Sequence, residues 1–359
     1  MNVAARDSDY SALDEALEIL APMGPDLNNG FSNHAPMAIE ALCAMRRGED
    51  VAHWLDRYRR FLAPRRHARA RITEADWRAA LGDPRRTQDW FEFFSDQLEQ
   101  HPWRHVLETW APRLAPGLMA AATHGVIRAG HATRAIALAD NPGRRRELAD
   151  GLAYWASDYM TLPAERRPPG RSKPSDAIAR VALLPIENRV RTLGSFTDAL
   201  VRLDTFAPFK QTLDAVDPSL DASAFVSDLT ATFARVYLAN AHDNYTTIAF
   251  IHAVTGPAAL RPMLPYLDGA TARAALAYAW QAAAAMYATF GTQTRLPSLE
   301  RRESARGDDA ELVERAVNCG DEHAIKFTEV CLREHALNPD PAYLAAARHA
   351  VEMLSRTAA

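Results

Sequence analysis

What most limits the fold of this chain is a missing pattern. Nowhere in its 359 residues does a sustained alternation of Val, Ile or Thr with polar residues mark a half-buried strand. Apolar residues recur at helical spacing instead, set among Ala, Leu, Arg and Glu, and glycine occurs only 16 times. The spacing predicts an all-α protein, a multi-helix, bundle-like single domain over 1–359. Its helices include 36–47, 49–62, 114–128, 130–138, 195–202, 205–213, 221–240, 244–254, 269–290, 320–335 and 341–355. "LPAERRPPGRSKP" (162–174), with four prolines, reads as a surface loop or a boundary between two lobes, and "GTQTRLPSLERRESARGDD" (291–309) as a second exposed connector. No repeat of fixed period stands out.

Composition removes several classes of function. Net charge is −4, so the basic surface that a phosphate backbone demands is missing, and no nucleic acid is expected as a partner. The locally basic "RYRRFLAPRRHARARI" (57–72) begins with Tyr58 and Phe61 at helical spacing from Trp54, and reads as a solvated helix face. The apolar "AALAYAWQAAAAMYATFG" (274–291) is mostly alanine and reads as a packed helix, so no membrane partner is expected. Cys43, Cys319 and Cys331 form no CxxC; they argue against a disulfide framework or a thiolate metal site and suit a reducing cytoplasm. The N-terminal "MNVAARDSDYSALDEAL" lacks the apolar core of a signal peptide. Neither GxGxxG nor GxxxxGK[ST] occurs.

Chemistry concentrates in the histidines. His53, His67, His101, His105, His335 and His349 have polar neighbours and read as surface residues, and the isolated His242–Asp243 pair carries little weight. Four others sit in apolar settings. His34 opens a helix at a place where Ser or Asp would cap better. His124 interrupts an apolar helix just before Gly125. His252 lies near the end of an apolar helix, and His323 lies one turn before Lys326. A buried imidazole must satisfy two ring nitrogens. Singly, each of the four reads as a hydrogen-bonded core histidine. Together, without cysteine ligands, they suit an iron, zinc, copper or nickel site formed between helices. Lys326, between Ile325 and Phe327, either snorkels to water or is buried with its pKa lowered to leave a neutral amine.

"NHAP" (33–36), "THGVIRAGHA" (123–132), "FIHAVTG" (250–256) and "DEHAIK" (321–326) together resemble the questin oxidase-like family, in order from about residue 30 to 350. The resemblance implies an all-helical oxygenase that opens a ring of an aromatic polyketide, chiefly an anthraquinone, using dioxygen. It implies iron(II) held by His34, His124, His252, His323 and a carboxylated Lys326. For other members it implies NADPH as reductant, and Baeyer–Villiger-type oxidation without iron is one alternative. A zinc hydrolase on the same histidines and a metal-free helical binding protein are the others.

The chain departs from the family where an HxxxH pattern is expected, since Arg128 replaces the second histidine. Residues 124, 128 and 131 share a helix face, so Arg128 and His131 are expected to face the same cavity as His124. His131 lies about 10 Å further along the axis, too far to share an ion easily, so both residues are read as substrate or supporting contacts. An arginine there suits a phenolate or quinone oxygen. Tyr245, seven residues before His252 on the same face, is expected to bond an oxygen or donate a proton, or else to be a core tyrosine. Cys319 reads as a small core residue.

Overall fold

In a computed structural model, residues 3–165, 170–189, 196–219, 221–299 and 309–356 are described. Helix accounts for 71% of the chain, and the described strands form one two-stranded sheet, so the protein is all-α. The chain divides into two compact units, Met1–Met160 and Thr161–Ala359. The predicted loop residues 166–169 and connector residues 300–308 lie outside the described residues.

In the first unit, helix 49–62 is shorter than expected. It runs Val51–Tyr58, tightens to a 3-10 turn at Arg59–Phe61, and becomes a strand, Leu62–Pro64, paired antiparallel with Met23–Leu27. Pro64 is the cause: it cannot donate to a helix, and it pushes the residue before it into extended backbone. The solvated-face reading therefore holds only for the helix itself, where Trp54 and Tyr58 are buried and His53 and Arg57 exposed. Beyond it, Arg65 makes two hydrogen bonds to Asp150 at 2.7 and 2.9 Å and stacks 4.0 Å over Phe91.

The core of this unit is aromatic. Trp90 stacks on Phe94, and Trp110 meets Trp77, Phe93 and Phe94 edge-on at centroid distances of 5.0–5.2 Å. Two helices, His124–Leu138 and Pro142–Ser157, then pack backbone to backbone. A Cβ on Gly125 would stand 2.5 Å from Trp155 Cα, and one on Gly151 would stand 2.8 Å from Ala129 Cα. Neither neighbour is a flexible side chain, so the helices would have to separate. Gly125→Ala is expected to destabilise the protein by about 3 kcal/mol, seen as a lower denaturation midpoint.

The second unit is built on the helices Ala222–Asn240, Asn244–Ala258, Gly269–Phe290, Glu322–Leu337 and Pro341–Ser355. Each starts at an aspartate whose carboxylate accepts first-turn N–H groups: Asp221, Asp243, Asp268, Asp321 and Asp340. Trp280, Phe233, Tyr237 and Phe327 fill the interior. Glu334 is fully buried and held by Arg261 at 2.5 and 2.8 Å. The alanine-rich segment is a buried helix, as its composition suggests, and no described helix is long and apolar enough to cross a membrane. Of the predicted 195–202 helix, Phe196–Leu200 is α-helical and residue 195 is not described. Residues 205–213 form 3-10 turns instead of an α-helix.

Candidate metal-binding histidines

His34 stands at the cap position of the Ala35–Ala44 helix but does not cap it. That work falls to its neighbours: Asn33 Oδ1 accepts from the Ala35 N–H, and the Tyr58 hydroxyl accepts from the His34 N–H at 3.1 Å. Pro36, expected in the first turn, is there and has no N–H to satisfy. The imidazole of His34 is turned into the unit, 4% exposed, with Nε2 2.7 Å from Nε2 of His124.

His124 is presented differently from its sequence reading. Pro116 ends the preceding helix at Leu114, and Ala121, Ala122 and Thr123 then take φ values of +46°, +55° and +74°. None is glycine, so each left-handed residue costs roughly 1–2 kcal/mol. A new helix starts at His124 and runs unbroken to Leu138, through the expected gap between 128 and 130. The turn also brings the Ala121 carbonyl onto His124 Nδ1. A carbonyl only accepts, so the proton of a neutral His124 sits on Nδ1 and its Nε2 lone pair faces His34.

In the second unit, His252 repeats this arrangement. Its Nδ1 donates to the Ile248 carbonyl at 2.8 Å, which places the proton of the neutral ring on Nδ1. His323 lies 5.5 Å from it, ring to ring, at 78°, and each ring offers a nitrogen within 4.8 Å of the other. Asp321 caps the helix of His323 and places Oδ1 3.3 Å from the His323 Nδ1. Burial opposes charge on that carboxyl, but the His323 ring and two backbone N–H groups hold it below the usual range. Burial pushes the Glu322 carboxyl upward, against the pull of His323.

Lys326 does not snorkel. It is 1% exposed, and burial lowers its pKa to about 8 despite the attraction of Glu322 and Asp321.

Arg128 and His131 are buried and bound to carboxylates. Arg128 forks onto Glu147 at 2.7 and 2.8 Å and approaches Asp150 at 3.4 Å; its Nη1 has no partner among the described residues. His131 Nδ1 lies 2.6 Å from Glu40, which also receives Arg134 and the Tyr10 hydroxyl. Burial works against the Glu40 charge, yet Arg134 and His131 hold its carboxyl far below the usual range. Glu40 belongs to the helix that His34 opens, so this network ties the His34 helix to the His124 helix. A lone glutamate in "MAIEALCA" was the available signal for it.

Tyr245 is half-buried, its ring 4.7 Å from Phe196 and 5.5 Å from Phe290, and Phe196 lies 6.1 Å from His252. Neither phenylalanine was singled out in the sequence, and no local pattern marks them. Cys319 is half-exposed, not a core residue. His335 and His349, read as surface residues, are half-buried: His335 receives the Asp340 N–H, and His349 pairs with the Tyr237 hydroxyl at 2.9 Å.

The donor set fits a divalent transition metal. Two imidazoles at right angles on one ion, each about 2.1 Å from it, place their nitrogens roughly 3 Å apart, close to the His34–His124 separation. Oxygen acceptors at the far nitrogens of His124 and His252, and beside that of His323, are what orients metal-ligating histidines. A helical protein with buried, oriented imidazole pairs and a buried lysine is the class that these features define. The questin oxidase-like family model matches residues 31–331, and the chain belongs to that family. A comparison with curated proteins found no match.

Proposed function

We propose that the protein is a non-haem iron oxygenase that uses dioxygen to oxidise or cleave a ring of an aromatic or quinone-like compound of the anthraquinone type. His34, His124, His252 and His323 would hold iron(II), with Lys326 as a carboxylated fifth donor. The observation that carries this reading is the orientation of the imidazoles. The Nδ1 atoms of His124 and His252 are bound to backbone carbonyls, so a cation would meet both rings at Nε2. The family membership supports the oxidative chemistry.

Bound iron(II) would supply redox electrons and an open position at which dioxygen can react. The protein's own contributions are more specific. Neutral imidazoles leave the ion's charge unbalanced, and a carbamate formed by Lys326 amine and carbon dioxide, with loss of one proton, offsets part of it. The lowered pKa of Lys326 supports this role, because only the neutral amine adds to carbon dioxide. The Glu40–His131–Arg134 network and the Arg128–Glu147 pair hold the His124 helix in place, which makes Arg128 and His131 positioning residues. Tyr245, seven residues before His252 and packed on the Phe196 ring that also neighbours His252, would bond a substrate oxygen. NADPH would act as an external reductant, and free cysteines suit a reducing cytoplasm.

Elemental analysis of the purified protein is expected to find about one iron per chain. Oxygen uptake is expected to follow loss of a hydroxyanthraquinone, with NADPH changing the rate only through the oxidation state of the iron. His323→Ala should abolish uptake. Zinc in place of iron, with substrate loss but no oxygen uptake, would establish the hydrolase instead.

A further inference from the structure

Thr123 combines two anomalies. It is β-branched yet holds φ +74°, where such residues are outliers, and it occupies the cap position of the His124 helix without a side-chain cap bond. Its hydroxyl is buried, the residue being 1% exposed, and has no partner among the described residues. Thr289 and Thr328 also have unpartnered hydroxyls, but they lie in unstrained helical backbone. At Thr123 the chain forgoes both the cap bond and the favoured backbone, at the residue next to His124. Strain and an unsatisfied buried donor at one residue are typical of a group kept ready for a ligand.

We propose that the Thr123 hydroxyl donates a hydrogen bond to an oxygen of the small molecule that binds beside His124. This rests on the reading of the histidines as metal ligands. The occupant is an oxygen-bearing molecule, since a hydroxyl beside a cationic centre is suited to a phenolate, a quinone carbonyl or dioxygen. The left-handed turn then serves two ends, placing the Ala121 carbonyl on His124 Nδ1 and leaving the hydroxyl without a cap bond to the helix.

The test compares Thr123→Val, which keeps the shape and removes the hydroxyl, with Thr123→Ser, which keeps the hydroxyl. Iron content, thermal stability, anaerobic titration with 1-hydroxyanthraquinone, and kcat and KM for that compound and for dioxygen are measured on each. Thr123→Val is expected to keep its iron and to melt at the wild-type temperature or above, since a buried unpaired donor is gone. It should nevertheless lose tenfold or more in kcat/KM, and Thr123→Ser should recover most of that. A loss carried by anthraquinone binding identifies the substrate oxygen as acceptor; a loss confined to kcat/KM for dioxygen identifies dioxygen. Wild-type binding and turnover in iron-loaded Thr123→Val would overturn the proposal and leave the metal reading standing. Wild-type protein that takes up no metal would overturn that reading itself.

Discussion

His124→Ala and His252→Ala, made separately, are each expected to take bound iron from about one per chain to less than a tenth of that. Turnover should fall by more than about a hundredfold, because even removing a hydrogen-bond partner of a ligand costs about 10- to 100-fold. The pair of variants matters because the two histidines belong to different units of the chain. If all four imidazoles serve one ion, either truncation empties the protein. If each pair bound its own ion, wild type would hold two and each variant would keep one. Metal stoichiometry by mass spectrometry, with circular dichroism to show that the helices persist, reads the difference directly.

Lys326→Met is expected to make the metal-free protein more stable and the enzyme inactive. Burial lowers the Lys326 pKa from 10.5 to about 8. Between those values the unfolded chain holds more protons than the folded one, so wild-type stability rises with pH through that window. Below about pH 8 the penalty is fully present, on the order of 3 kcal/mol. Methionine fills a similar volume without charge, so the chelator-treated variant should gain about that much at pH 7. It should also lose the rise in stability between pH 8 and 10.5. Iron affinity should drop at the same time, because the anionic donor is gone. Denaturant titrations across that pH range, with metal analysis of untreated samples, check both halves. A variant that keeps iron and turnover would remove Lys326 from the donor set.

Several features could be read without coordinates because their causes are local. The helices follow from apolar spacing and from the scarcity of glycine and of β-branched alternation. Pro36 marks one helix start, and the aspartates before Ala222, Asn244, Gly269, Glu322 and Pro341 mark others. The four histidines were conspicuous because polar rings in apolar helices need partners, and the structure does bury all four. Lys326 stood out between Ile325 and Phe327 for the same reason.

What the local pattern could not carry is who meets whom. His34 and His124 are 90 residues apart, and their approach depends on the contacts between their helices, not on either segment's propensity. The left-handed turn at 121–123 has no glycine to announce it and persists only because surrounding packing outweighs its backbone cost. Arg128 and His131 share a face with His124, as helical spacing requires, yet which carboxylates meet them was decided by the neighbouring helices that carry Glu147 and Glu40. The sequence by itself determined an all-helical chain and the residues able to bind a cation, since steric preference and burial act over a few residues. Only the tertiary structure decided their pairing, tautomers and strain, because those arise from contacts between segments far apart in the chain.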